Sequence, residues 1–182
     1  MQTPFAWITP AKQKPVFIYL VALTLAVMGC LQLLGQPLAT EAAPGGIISY
    51  EFAGDLPTAR AILDSWGAKG QVSAGLNLGL DFLFLLAYAG SIGLGCVRVA
   101  RKLPPGGLAH KIGIGLAWGL PLAALLDGLE NYALIRLLLG SELALWPTVA
   151  YWCAIPKFTL VGLGLLFVLI GGVAGLLRRG RG

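Results

Sequence analysis

The sequence predicts an all-α membrane protein. It has four transmembrane helices, both termini inside, and a short interfacial helix in the outer loop between spans 1 and 2. Three observations carry that expectation. Charged residues make up only 12% of the chain and hydrophobic residues 57%, where soluble domains carry about 25% charged residues. The apolar residues, which give a mean hydropathy of +0.81, gather into four long runs separated by short charged patches. The charges themselves are sorted by sign along the chain. The length suits one four-helix domain over residues 1–182 and leaves no room for a second globular unit.

The first span is read at about residues 15–35, from PVFIYLVALTLAVMGCLQLLG. Lys12 and Lys14 before it give it the look of a signal peptide, and VMGC (27–30) approaches a lipoprotein box ending at Cys30. Methionine before the glycine fits that box poorly, so the run is expected to stay as an uncleaved span. The second span lies at about 76–98, the third at 112–139 with Pro121 able to kink it, and the fourth at 148–177. A helix needs roughly 20 residues to cross about 30 Å of hydrocarbon, and each run meets that. Lipid offers no hydrogen bonds, so runs of this kind form helices, and their leucine, alanine and glycine content speaks against alternating barrel strands.

Lys12 and Lys14 precede the first span, Arg98, Arg101, Lys102 and Lys111 surround the second connection, and Arg178, Arg179 and Arg181 follow the last span. These three regions hold no acid. All eight acids fall in the first loop, the third loop or the outer parts of the spans. Positive charge stays on the cytoplasmic side, so both termini are expected there, in a bacterial inner (cytoplasmic) membrane. The net charge of +5 then serves insertion and attraction to anionic lipid. No nucleic-acid motif accompanies it.

The outer loop, residues 36–75, carries the interfacial helix at about 56–66. Asp55 can cap it, Pro57 suits its first turn, and Gly67 can stop it. Leu56, Ala59, Ile62, Leu63 and Trp66 share one face, and Trp66 suits a membrane interface. GGIISYEFAG before it reads as extended or as a tight turn. Cys30, Cys96 and Cys153 are far apart with no metal or redox spacing. They read as three buried small residues, with a Cys30–Cys153 disulfide open as an alternative. His110 stands in the basic connection as a solvated loop or helix-start residue, with no further ligands to make a metal site.

The chemistry concentrates in the spans. At 1.5 Å per helical residue, Asp127 stands roughly 24 Å from Lys111, Asp81 roughly 26 Å from Arg98, Gln32 roughly 27 Å from Lys14, and Lys157 roughly 32 Å from Arg178. Polar groups on four helices thus fall in one layer, in the outer third of the bilayer. Asp127, Glu130 and Asn131 share one helix face, as do Asn77, Asp81 and Tyr88. Arg136 lies off the face of Asp127 and is expected to snorkel outward. A charge at mid-membrane costs roughly 2.5–3.5 kcal/mol, so these groups are expected to face the bundle and one another.

The expected cluster is Asp81, Asp127, Glu130, Asn131 and Lys157, with Asn77, Tyr88, Glu51 and Gln32 around it. Three acids against one lysine leave at least one acid protonated or open to water. Pro156 can loosen the helix beside Lys157. The cluster either locks the helices together or forms a ligand or ion site.

YEFAG (50–54), the IL..WG helix (62–67), LDFLFLLAY (80–88), LDGLENYAL (126–134) and PKF (156–158) together resemble a group of small four-span bacterial membrane proteins. The resemblance covers most of residues 47–170. It implies the four-helix fold and the same polar positions, and it carries no activity.

Three functions fit. One is a membrane protein that binds a small ligand, lipid or ion through the polar cluster. Another is an accessory or assembly subunit that docks through Gly75-xxx-Gly79, Gly115-xxx-Gly119 and Gly171-xxx-Gly175, on a partner or on a second copy. The third is a carboxylate-based membrane enzyme, which carboxylates alone do not define. No phosphate loop, nucleophile elbow or zinc helix is present, no cofactor is indicated, and no internal repeat of the kind many transporters show is evident.

Overall fold

The computed structural model describes residues 4–179, with side chains to residue 174. Its elements are α1 (Pro10–Gly35), α2 (Ile47–Glu51), α3 (Leu56–Ala100), α4 (Leu108–Leu138) and α5 (Leu145–Arg179). A single 3-10 turn, Gln36–Leu38, follows α1. Among the described residues there is no strand. Four of the helices are long and apolar enough to cross a membrane.

α3, α4 and α5 pack on one another, and α1 lies chiefly against α3. Polar rungs stitch that last seam. Ser73 Oγ donates to the Leu34 carbonyl at 2.6 Å, Asn77 Nδ2 donates to the Leu31 carbonyl at 2.9 Å, and Thr24 Oγ1 meets Ser91 Oγ at 3.2 Å. Glycines let the other helices close up. A Cβ on Gly113 of α4 would stand 2.5 Å from the Phe167 ring of α5, and one on Gly171 of α5 would collide with Val99 of α3. Gly115 and Gly79 have nothing within 4 Å, so each of those two small-residue pairs has a side facing away from the bundle.

Several elements depart from the sequence reading. The segment 56–66 is helical, capped by Asp55 Oδ1, which accepts from Thr58 N at 2.8 Å. Gly67 breaks it, at φ 58° and ψ −176°, a region open in practice to glycine alone. The helix then resumes at once instead of giving way to a loop up to residue 75. Trp66 is buried rather than laid on a surface; its Nε1 donates to the Leu38 carbonyl at 2.8 Å and its ring meets Tyr50 edge-on at 5.1 Å. IISYE, read as extended or turn, is the short helix α2, set between Gly46 at φ 60° and Gly54 at φ 74°. α4 stays continuous through Pro121, and α5 through Pro156. All three cysteines are free, and Cys30 is exposed rather than buried. His110 opens α4, half-buried, with Nδ1 3.0 Å from the Ala100 carbonyl.

At the end of the bundle carrying the α3–α4 connection, Arg101 Nη1 donates to Gln13 Oε1 at 2.6 Å. α2 sits at the opposite end. Tyr50 Oη donates to the Leu134 carbonyl at 3.1 Å, and burial pushes that phenol above its ordinary range, so it remains a donor. Phe52 stacks on Phe158 at 5.8 Å and meets Tyr151 edge-on at 5.9 Å. These contacts fix α2 against α4 and α5, and with it Glu51.

Candidate functional site

Lys157 of α5 is the centre of a buried ionic cluster. Its Nζ donates to Glu130 Oε1 at 2.7 Å and to Asp127 Oδ1 at 3.1 Å, both on α4. Glu51 Oε2 of α2 lies 3.5 Å from the same nitrogen. The Phe158 ring centroid is 4.5 Å from it. The i,i+3 spacing of Asp127 and Glu130 is what lets one ammonium reach both. Asp127 uses its other oxygen, Oδ2, to accept from Tyr88 Oη of α3 at 2.9 Å. One turn on, Asn131 Nδ2 donates to Asp81 Oδ2 of α3 at 2.6 Å.

Asp127, Glu130, Asn131, Lys157, Glu51 and Tyr88 are all buried, and Asp81 is half-buried. Glu51 Oε2 and Glu130 Oε2 are buried without a hydrogen-bond donor. Burial pushes the Glu51 carboxyl above the usual carboxylate range; Lys157 opposes that rise and Asp127 adds to it. Among the described residues, four carboxyl groups thus gather around one ammonium. A buried pair that loses one partner costs about 3–5 kcal/mol, so the members hold one another in place.

The structure brings Asp81, Asp127, Glu130, Asn131 and Lys157 together, with Tyr88 and Glu51 in direct contact. Asn77 and Gln32 line the same cleft as the cluster. Asn77 is spent on the Leu31 backbone in the α1–α3 seam. Gln32 is exposed on α1. Arg136 is exposed as well, with its guanidinium 5.6 Å from the Trp146 ring.

The cluster forms one end of a cleft of about 830 Å³. Val21, Leu25 and Met28 of α1 form one wall; Val161, Leu165 and Val168 of α5 form the other; Phe84, Tyr88 and Ile92 of α3 form the floor. Asp81, Asp127, Asn131, Glu51 and Lys157 line its head, whereas Glu130 lies behind them. The far end narrows where Phe17 and Val168 both approach Gly95. This cleft was not visible in the sequence. Phe84, an aromatic one turn from Asp81, lines it. Among the described residues no group of three or more His, Cys, Asp or Glu is placed to hold a metal ion.

Fold and site together define a helical protein with four apolar, membrane-compatible helices and a buried lysine–carboxylate cluster. Comparison with known protein families, with curated proteins and with solved structures finds no match for the chain.

Proposed function

We propose that the chain is an integral membrane protein that takes an amphiphilic ligand into the cleft between α1 and α5. The headgroup meets the cluster at Asp81, Asp127 and Lys157, and the tail lies along the apolar walls. One observation carries this reading: charged side chains stand together in a cavity about 830 Å³ in volume whose other lining residues are mainly apolar, with Thr24, Gln32, Gln36, Asn77 and Ser91 among them, within the usual 300–1,000 Å³ of ligand pockets. The sorting of charge supports an orientation with both termini cytoplasmic, in a bacterial inner membrane, which places the cluster in the outer part of the bilayer.

The test is native mass spectrometry of the protein extracted gently from its source membrane, beside a Val161→Trp variant that fills the cleft. Wild type is expected to carry a small amphiphile or lipid that the variant lacks, while both keep the same helical circular dichroism. A wild-type protein that retains nothing, or a variant that retains the same mass, would refute the assignment.

A second reading is an accessory subunit or a homo-oligomer. It is favoured by Gly79, Gly115, Gly162 and Gly172, which are exposed with nothing within 4 Å and would admit a neighbouring helix. A stoichiometric protein partner in the same spectra would select it.

A further inference from the structure

Resting on the cleft as an amphiphile site, we propose that the headgroup it accepts is a protonated amine, held by the carboxylates of Asp81 and Glu51. The argument is an inventory of donors and acceptors. The donors of the cluster are already turned inward. Tyr88 Oη donates to Asp127, Asn131 Nδ2 to Asp81, and Lys157 Nζ to Asp127 and Glu130. The acceptors are in surplus. Glu51 is more than nine-tenths buried and lines the cleft; its Oε2, closed off from solvent, receives no hydrogen bond and has the Lys157 ammonium 3.5 Å away. Asp81 is half-buried in the cleft wall and accepts through Oδ2 from one amide.

Charge points the same way. Among the described residues of the cluster, four carboxyl groups face one ammonium, and three of them already share it. An anionic head would find that lysine occupied and would add to the excess. A bare metal ion would need a ligand set that the described residues lack. An alkylammonium brings one positive charge and three N–H donors, the complement of what is missing. Phe84 lines the cleft one turn from Asp81 and adds a ring face, which attracts cations. The tail requirement follows from the walls: Leu25 and Val161 offer nothing but hydrocarbon.

The experiment titrates the purified full chain, in a nonionic detergent, with hexadecylamine, hexadecanol and hexadecyl sulfonate, reading bound adducts by native mass spectrometry. The amine is expected to bind about tenfold more tightly than the alcohol, the gain of one charge-assisted hydrogen bond, and the sulfonate more weakly than either. Asp81→Asn and Glu51→Gln should each bring the ratio of amine to hexadecanol binding down to about one, and hexadecanol that still binds shows that the cleft still forms. Equal binding of amine and alcohol, or tightest binding of the sulfonate with its loss in Lys157→Met, overturns the amine while keeping the cleft as an amphiphile site. Failure of all three to bind wild type removes both. The wild-type comparison stands even where a variant does not fold.

Discussion

At Lys157 one ammonium serves three carboxylates, at 2.7, 3.1 and 3.5 Å. Removing it strands Asp127 and Glu130 in an apolar interior. Lys157→Met is therefore expected to destabilise the protein by about 3–5 kcal/mol, read as a lower Tm in detergent. Adding Asp127→Asn and Glu130→Gln to that variant should recover most of the loss, because neutral amides no longer need a counter-ion. An unchanged Tm for Lys157→Met would mean that the group is not held as an ionic cluster.

These residues were legible because a charge inside a leucine-rich run has to face protein, and because helical spacing puts Asp127, Glu130 and Asn131 on one face. Gln32 and Asn77 line the same cleft, but what each of them faces was not legible, for a geometric reason. Counting residues fixes height along a helix but not which neighbour lies opposite. Asn77 turns to the α1 backbone, and Gln32 is left exposed.

At the scale of the element, Gly67 decides the shape of α3. Its φ of 58° lets the chain turn between residues 56–66 and the long helix that follows, and a Cβ there would meet nothing within 4 Å. The constraint is thus purely a matter of backbone. Gly67→Ala should cost about 1–2 kcal/mol. Gly115→Ala, on an open face of α4, should be neutral or gain up to about 1 kcal/mol. Thermal unfolding of the two variants side by side checks this, and equal shifts would show that the break imposes no backbone requirement.

The Asp55 cap and the glycine break could be read in advance. The resumption of the helix could not, because AKGQVSAG looks like loop composition. What rescues it is packing, within α3 and against α1. Gly70 admits the Trp66 side chain, where a Cβ would stand 2.8 Å from that of the tryptophan, and Ser73 bonds to α1. The same holds for α2, whose five residues become helical because Tyr50 and Phe52 are seated against α4 and α5.

For the whole molecule, the number of apolar helices followed from the four apolar runs along the chain, and their sidedness is a prediction of charge. Lys12→Cys and Lys111→Cys should react with a membrane-impermeant maleimide from the cytoplasmic side, in inside-out vesicles, and Glu142→Cys from the other side, in intact spheroplasts. Reaction of residues 12 and 111 from opposite sides would break the four-span topology, and reversal of all three would invert it. The cleft was beyond the reach of the sequence, since a gap between two helices belongs to neither of them.

The distribution of burial has a further consequence, for biosynthesis. α1 has the highest hydropathy of the four helices, 2.3, and only 6% of its most apolar stretch is buried, so it can rest alone in lipid as soon as it is made. α4 has the lowest, 1.6, and carries Asp127 and Glu130 out of the ribosome ahead of Lys157. Until α5 arrives, those acids have no cation, at a cost of a few kcal/mol each on insertion scales. The ion pairs thus favour release of α4 and α5 from the translocon together, as a hairpin, so that the last helix synthesised completes the partition of the one before it.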